Sequence, residues 1–211
     1  MCVFDLDGTL LNSLRDIANG TNYALEKNGF PKRKLEEYPY FVCDGLPALL
    51  KKALGEHFTP EASSLLVDDF NYYYNLHYAD FTRPYAGISD LLDNLMGHGI
   101  HVAVLSNKPD HFVKMIVDKM YPDVDFSFVQ GKSDLFPPKP DPASLLNILK
   151  ELGTKPGETL YIGDSNVDVF TAKNAGIKII GVTWGFRGKY ELEEAGADYI
   201  VESPSDILKL V

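Results

Sequence analysis

Apolar positions along the chain follow two different rhythms. At the start, Cys2 to Leu6 form a short run that predicts a buried strand, ending at once in Asp5-Leu6-Asp7-Gly8-Thr9. A strand this close to Met1 leads us to expect a residue or two ahead of it. From about Ser13 to Asp80 the spacing is helical and no strand is predicted. Leu14, Ile17, Ala18, Ala24 and Leu25 share one helix face, broken at Gly29 and Pro31. Leu46, Leu49, Leu50, Ala53 and Leu54 share another, which stops at Gly55. Pro60 opens a third helix carrying Leu65, Leu66, Phe70, Tyr73 and Tyr74, proline being well suited to a first helical turn. A simple strand-to-strand crossover spans roughly 30 residues, and this stretch is far longer. It therefore reads as a helical subdomain inserted after the first strand.

Beyond Pro84 helix and strand alternate. Helices are predicted over Ile88–Met96, Asp110–Met120 and Ala143–Leu152, from Asn166 to about Gly176, and after Pro204. Strands are predicted over His101–Leu105, Phe126–Val129, Thr159–Ile162, Ile177–Val182 and Tyr199–Val201. This order predicts an α/β fold, a Rossmann-like parallel sheet core of residues 1–12 and 83–211, with a helical cap of residues 13–82 inserted after the first strand. In such a sheet the site lies beyond the carboxyl ends of the strands.

Composition narrows the function. The 211 residues are 45% hydrophobic and 24% charged, as in a packed globular protein. The net charge of −10 disfavours nucleic acid and anionic membranes as partners. Two cysteines, Cys2 and Cys43, make no disulfide framework, and no apolar run is long enough to span a membrane. A cytoplasmic location, as monomer or homodimer, is the expectation.

Reactive side chains gather at the predicted strand ends. Asp5 and Asp7 lie two positions apart, so an extended backbone turns both carboxylates to one side. A second strand leads into Ser106-Asn107-Lys108, and a fourth into Gly163-Asp164-Ser165-Asn166 with Asp168 beyond; Lys139 lies in a loop between them. If these ends converge, the four aspartates raise one another's pKa and call for compensating positive charge. Lys139 supplies one such charge, and Mg²⁺, with its preference for carboxylates, waters and phosphate oxygens, suits the rest. Such a constellation fits phosphoryl transfer by a carboxylate nucleophile, the charge on phosphorus being held by hydroxyl, amide and ammonium donors. Two look-alikes fail. An EF-hand loop needs glycine at its sixth position and glutamate at its twelfth. Counting from Asp5 gives Leu10 and Asp16, and from Asp164 gives Val169 and Ala175.

With Asp5-Leu6-Asp7-Gly8-Thr9-Leu10, Ser106-Asn107-Lys108, Lys139-Pro140-Asp141-Pro142 and Gly163-Asp164-Ser165-Asn166-Val167-Asp168 in this order, the chain resembles the phosphatase branch of the haloacid dehalogenase superfamily. The resemblance implies Asp5 as nucleophile and Asp7 as general acid/base. It implies Ser106 and Asn107 as phosphate binders, and Lys139 as the residue holding nucleophile and phosphate. Mg²⁺ would contact Asp5, the Asp7 carbonyl and Asp164, with Asp168 a supporting ligand. Asp7 also separates this chain from dehalogenases and phosphonatases, which lack an aspartate there. Within the superfamily, Leu11-Asn12-Ser13, Val42-Cys43-Asp44-Gly45 and Thr183-Trp184-Gly185-Phe186 are similar to phosphoglycolate phosphatases. Asn12 and Cys43-Asp44 depart from that pattern, and an inward Asp44 would oppose a glycolate carboxylate. Cys43, Asp44 and Gly45 are thus the candidate specificity residues of the cap.

The expected activity is Mg²⁺-dependent hydrolysis of a small phosphorylated metabolite, phosphoglycolate-like. A β-phosphoglucomutase-like mutase, a pyrophosphatase and a phospho-accepting receiver domain are the alternatives. Other residues are read as structural. The aromatic stretch Asn71–Tyr78 is read as cap packing, with a substrate-facing wall or dimer contact as alternatives. Arg187, Lys51 and Lys52 are read as solvated, and the five histidines show no paired ligand spacing.

Overall fold

The computed structural model describes residues 1–211. Its first strand, β1 (Cys2–Phe4), is followed by a two-residue strand, β2 (Leu11–Asn12). Three helices come next, α1 (Leu14–Lys27), α2 (Leu46–Leu54) and α3 (Pro60–His77), and then β3 (Arg83–Pro84). The rest alternates through α4 (Ile88–Gly97), β4 (Val102–Pro109), α5 (Asp110–Met120), β5 (Phe128–Lys132), α6 (Ala143–Glu151) and β6 (Leu160–Gly163). It closes with α7 (Asn166–Asn174), β7 (Lys178–Val182), α8 (Lys189–Ala195), β8 (Tyr199–Val201) and α9 (Pro204–Ile207).

Six parallel strands form one sheet in the order β5-β4-β1-β6-β7-β8. β1 is central because it is apolar on both faces. Phe4 packs into a 35-residue cluster shared with α1, α2 and α3, and Val3 into a 13-residue cluster on the opposite face. The chain builds outward from β1 through β4 and β5, then returns to its other side with β6. That reversal is where open α/β sheets form their ligand crevice. In register, Phe4 lies beside Val104 on one side and Ile162 on the other. The ends carrying Asp5, Ser106 and Asp164 are therefore sheet neighbours.

Three features differ from the sequence expectation. β2 and β3 pair antiparallel, Leu11 with Pro84 and Asn12 with Arg83, as a two-stranded ribbon at the two ends of the helical segment. Two-residue strands have no periodicity to read. β4 continues past Leu105 to Pro109, with an irregularity before Pro109 meets Lys132, so Ser106, Asn107 and Lys108 lie on the strand itself. α8 was not expected because it buries only Leu192 and shows no apolar stripe. At the return of the helical segment, the buried Asp16 carboxylate accepts the Phe81 and Thr82 backbone N–H groups and the Thr82 hydroxyl at 2.7 to 3.1 Å. No helix is long and apolar enough to cross a membrane.

Candidate active site

β1 ends in a tight loop in which the Leu6 carbonyl accepts the Leu10 and Leu11 amides, both at 3.0 Å. Gly8, at φ +94°, makes the turn, and a Cβ there would fall 2.3 Å from an Asp164 oxygen. A Cβ on Gly185 would meet the Asp164 Cβ at the same 2.3 Å. Only glycine can stand at either position while this carboxylate is held between them.

Lys139 is the hub. Its Nζ donates to Asp5 Oδ1 at 2.8 Å, to Asp168 Oδ1 at 2.6 Å and to the Tyr161 hydroxyl at 3.1 Å. All four residues are buried. Burial works to lower the Lys139 pKa, but Asp168 and Asp5 outweigh it and hold the ammonium well above its ordinary value. Burial pushes the Asp5 carboxyl up to about 7; Lys139 pulls it down, and Asp168 adds to the rise. Asp168 also accepts from the Ser165 backbone N–H and hydroxyl through Oδ2, closing a capping box at the start of α7.

Asp7 sits nearer the opening. Its Oδ1 accepts from the Ser13 hydroxyl. Lys108 Nζ donates to both its oxygens, at 3.0 and 2.9 Å. The sequence showed Lys108 beside Ser106 and Asn107 but gave it no role, since its partner Asp7 is 101 positions away. Tyr161 was likewise invisible, an aromatic in an apolar strand. The Ser106 hydroxyl lies on the cleft wall and accepts only the Lys108 amide, at 3.2 Å.

Asp5, Asp164 and Asp168 each place a carboxylate oxygen within 4.8 Å of the others. Asp164 Oδ2 accepts the Phe186 amide at 2.7 Å, while its buried Oδ1 has no partner. Burial, then Asp168 and Asp5, drives the Asp164 carboxyl well above its ordinary value. An oxygen-only donor set with an orphaned buried carboxylate oxygen fits a hard divalent cation.

Three residues are placed differently from expectation. Asp44 is not part of the cleft lining and pairs at the surface with Lys52 at 2.7 Å, both side chains staying exposed. Asn107 is spent as a strut. Its amide donates to the Cys43 and Lys139 carbonyls at 3.1 and 3.0 Å, and its oxygen accepts the Lys139 amide at 2.8 Å. Only its backbone remains for a phosphate. Arg187 is mostly buried, its Nη2 donating to the Val42 carbonyl at 3.4 Å, so it spans core loop and cap. Cys43 and Gly45 do line the cleft, with Cys43 at φ +86°. Burial, followed by the Asp164 charge, keeps the Cys43 thiol protonated.

The family model described as haloacid dehalogenase-like hydrolase matches residues 2–182. The chain belongs to this family. Phosphoglycolate phosphatase of Mannheimia succiniciproducens is 32% identical over 215 residues, 99% of this chain and 96% of that protein. Phosphoglycolate phosphatase of Aquifex aeolicus is 32% identical over 209 residues, covering 99% and 95%. A crystal structure from Lactobacillus delbrueckii subsp. bulgaricus superposes with a TM-score of 0.94 at 30% identity, covering 99% of this chain and 96% of that one. With these relatives, this haloacid dehalogenase-like hydrolase is an enzyme of the phosphatase kind.

Proposed function

We propose that the enzyme hydrolyses a small phosphate monoester, phosphoglycolate-like, by way of an aspartyl phosphate on Asp5. The observation that carries this is the Asp5 carboxylate at the end of the central strand, held at 2.8 Å by Lys139 with Ser106 and Asp164 on the neighbouring strand ends. An Asp5 oxygen attacks phosphorus, the ester P–O bond breaks, and the leaving alkoxide takes its proton from Asp7. Asp7 then removes a proton from water. That water attacks the acyl phosphate, freeing Asp5 and inorganic phosphate. The Ser106 hydroxyl, strand-end backbone N–H groups and Lys139 hold the phosphoryl oxygens as charge develops. A Mg²⁺ ion held by Asp5, Asp164 and the Asp7 carbonyl, supported by Asp168, would offset the repulsion between carboxylate and phosphate. Lys108 Nζ, donating to both Asp7 oxygens, fixes the orientation of this carboxyl group.

Cap size supports a small substrate. The cleft holds about 60 Å³, against roughly 300 to 1,000 Å³ for sites that take drug-sized ligands. Because Asp44 is turned to Lys52, the objection it raised to a glycolate carboxylate does not apply. For the cap we propose the limits 13–82, joined to the core by the β2–β3 neck, as a lid that excludes water during turnover.

The test is a panel of phosphoglycolate, hexose phosphates, pyrophosphate and an aryl phosphate, with Mg²⁺, on the enzyme and on Asp5→Asn. The enzyme should release phosphate from the small monoesters, and Asp5→Asn should form no phosphoenzyme and lose at least about 10³-fold in rate, about 4 kcal/mol of barrier reduction. Near-normal turnover by Asp5→Asn removes it from the nucleophile role. Stoichiometric labelling without turnover would instead mark a phospho-accepting domain.

A further inference from the structure

The cap wall of the cleft is apolar at Ile17, Leu46, Leu49 and Phe70. Among the cap residues that line it, Tyr74 alone carries a side-chain oxygen or nitrogen. Its phenol oxygen is fully buried; it lies within reach of the Lys108 ammonium, and its own O–H has no acceptor. Packing does not explain the hydroxyl. The ring stacks on Phe70 at 5.1 Å and meets the Phe112 edge at 5.0 Å, contacts that phenylalanine would make equally well. A buried O–H without an acceptor is costly, whereas the same ring without it is not. Burial pushes the phenol pKa up to about 12, so the group stands as a neutral donor. Lys108 Nζ lies 4.9 Å from the ring centre. Two of its N–H groups are spent on Asp7, and the third faces the Tyr74 oxygen.

We propose that Tyr74 is the specificity residue of the cap: its hydroxyl, with the Lys108 ammonium beside it, receives a carboxylate on the leaving group of the substrate. The phosphate end is held by the strand ends and the distal end by the cap, so the ester must be short. A neutral distal group would leave the Tyr74 O–H unmatched, and burying an unmatched donor is what discriminates between otherwise similar substrates. The assignment rests on the phosphatase reading above and adds to it the cap residue that recognises the distal carboxylate.

Steady-state kinetics of the Mg²⁺-loaded enzyme and of Tyr74→Phe, on phosphoglycolate and on ethyl phosphate, test it. The wild type should prefer phosphoglycolate. Tyr74→Phe should lower kcat/KM for phosphoglycolate about tenfold or more, as loss of a hydrogen bond to a charged group does, chiefly through KM, and change ethyl phosphate by less than about twofold. Equal losses on both esters overturn the role of Tyr74 while leaving the phosphatase reading intact. Absence of a wild-type preference overturns it whether or not the variant folds. A wild type that hydrolyses neither ester overturns both.

Discussion

At the scale of single residues, the site is a problem of charge balance. Lys139 holds Asp5 and Asp168 inside the protein at 2.8 and 2.6 Å. Removing one member of a buried ion pair costs far more than the pair contributes, because its partners are left charged without water. Lys139→Met should therefore lower the unfolding free energy by about 3 to 5 kcal/mol in metal-free buffer, as read by urea denaturation, besides abolishing turnover. An unchanged urea midpoint would show that the two carboxylates do not depend on the ammonium. Lys139 was legible in the sequence because it lies between two prolines near other chemistry-bearing residues. Lys108 was not, since nothing local distinguishes an ammonium aimed at Asp7 from one in solvent. Arg187 and Asp44 were misplaced for the same reason: the sequence gives a charge but not its direction.

Between elements, the neck matters most. α1 begins directly after β2, and Asp16 in its first turn reaches the returning chain at Phe81 and Thr82. Three donors converge on this buried carboxylate, two of them backbone N–H groups with no other role. Asp16→Ala should cost about 3 kcal/mol, from leaving such donors unsatisfied at roughly 1 to 3 kcal/mol each, and should open residues 78–84 to limited proteolysis. A variant with a wild-type melting curve and an uncut neck would show that β2 and β3 suffice. The long helices were readable from their stripes, and α5 begins and ends as expected. β2, β3 and α8 were not, because a two-residue strand and a mostly polar helix owe their existence to what lies beside them.

Over the whole molecule, distant segments are drawn into one centre that lacks only positive charge. If ionised, Asp5, Asp7, Asp164 and Asp168 outnumber Lys108 and Lys139 by two charges, the charge of one divalent cation. Mg²⁺ should therefore stabilise the fold as well as activate it. At about 100 times its dissociation constant a ligand that binds only the native state adds about 2.7 kcal/mol, which a thermal melt with and without EDTA would read. Asp164→Asn should remove most of that shift. A melting midpoint that ignores Mg²⁺, or a full shift in Asp164→Asn, would contradict the assignment of this centre to the cation.

The sequence by itself determined the alternation of helix and strand after Pro84, the helical insertion before it, and the order in which the chemistry-bearing residues leave their strands. Those properties are local: periodicity, turn residues and strand ends are written in neighbouring positions. Only the tertiary structure decided which charges face each other, that Asn107 supports the loop at Cys43, and that the Tyr74 hydroxyl is buried beside Lys108. Those depend on the pairing of β1 with β4 and β6 and on how the cap helices seat against them, and direction and burial exist only once such long-range contacts have formed.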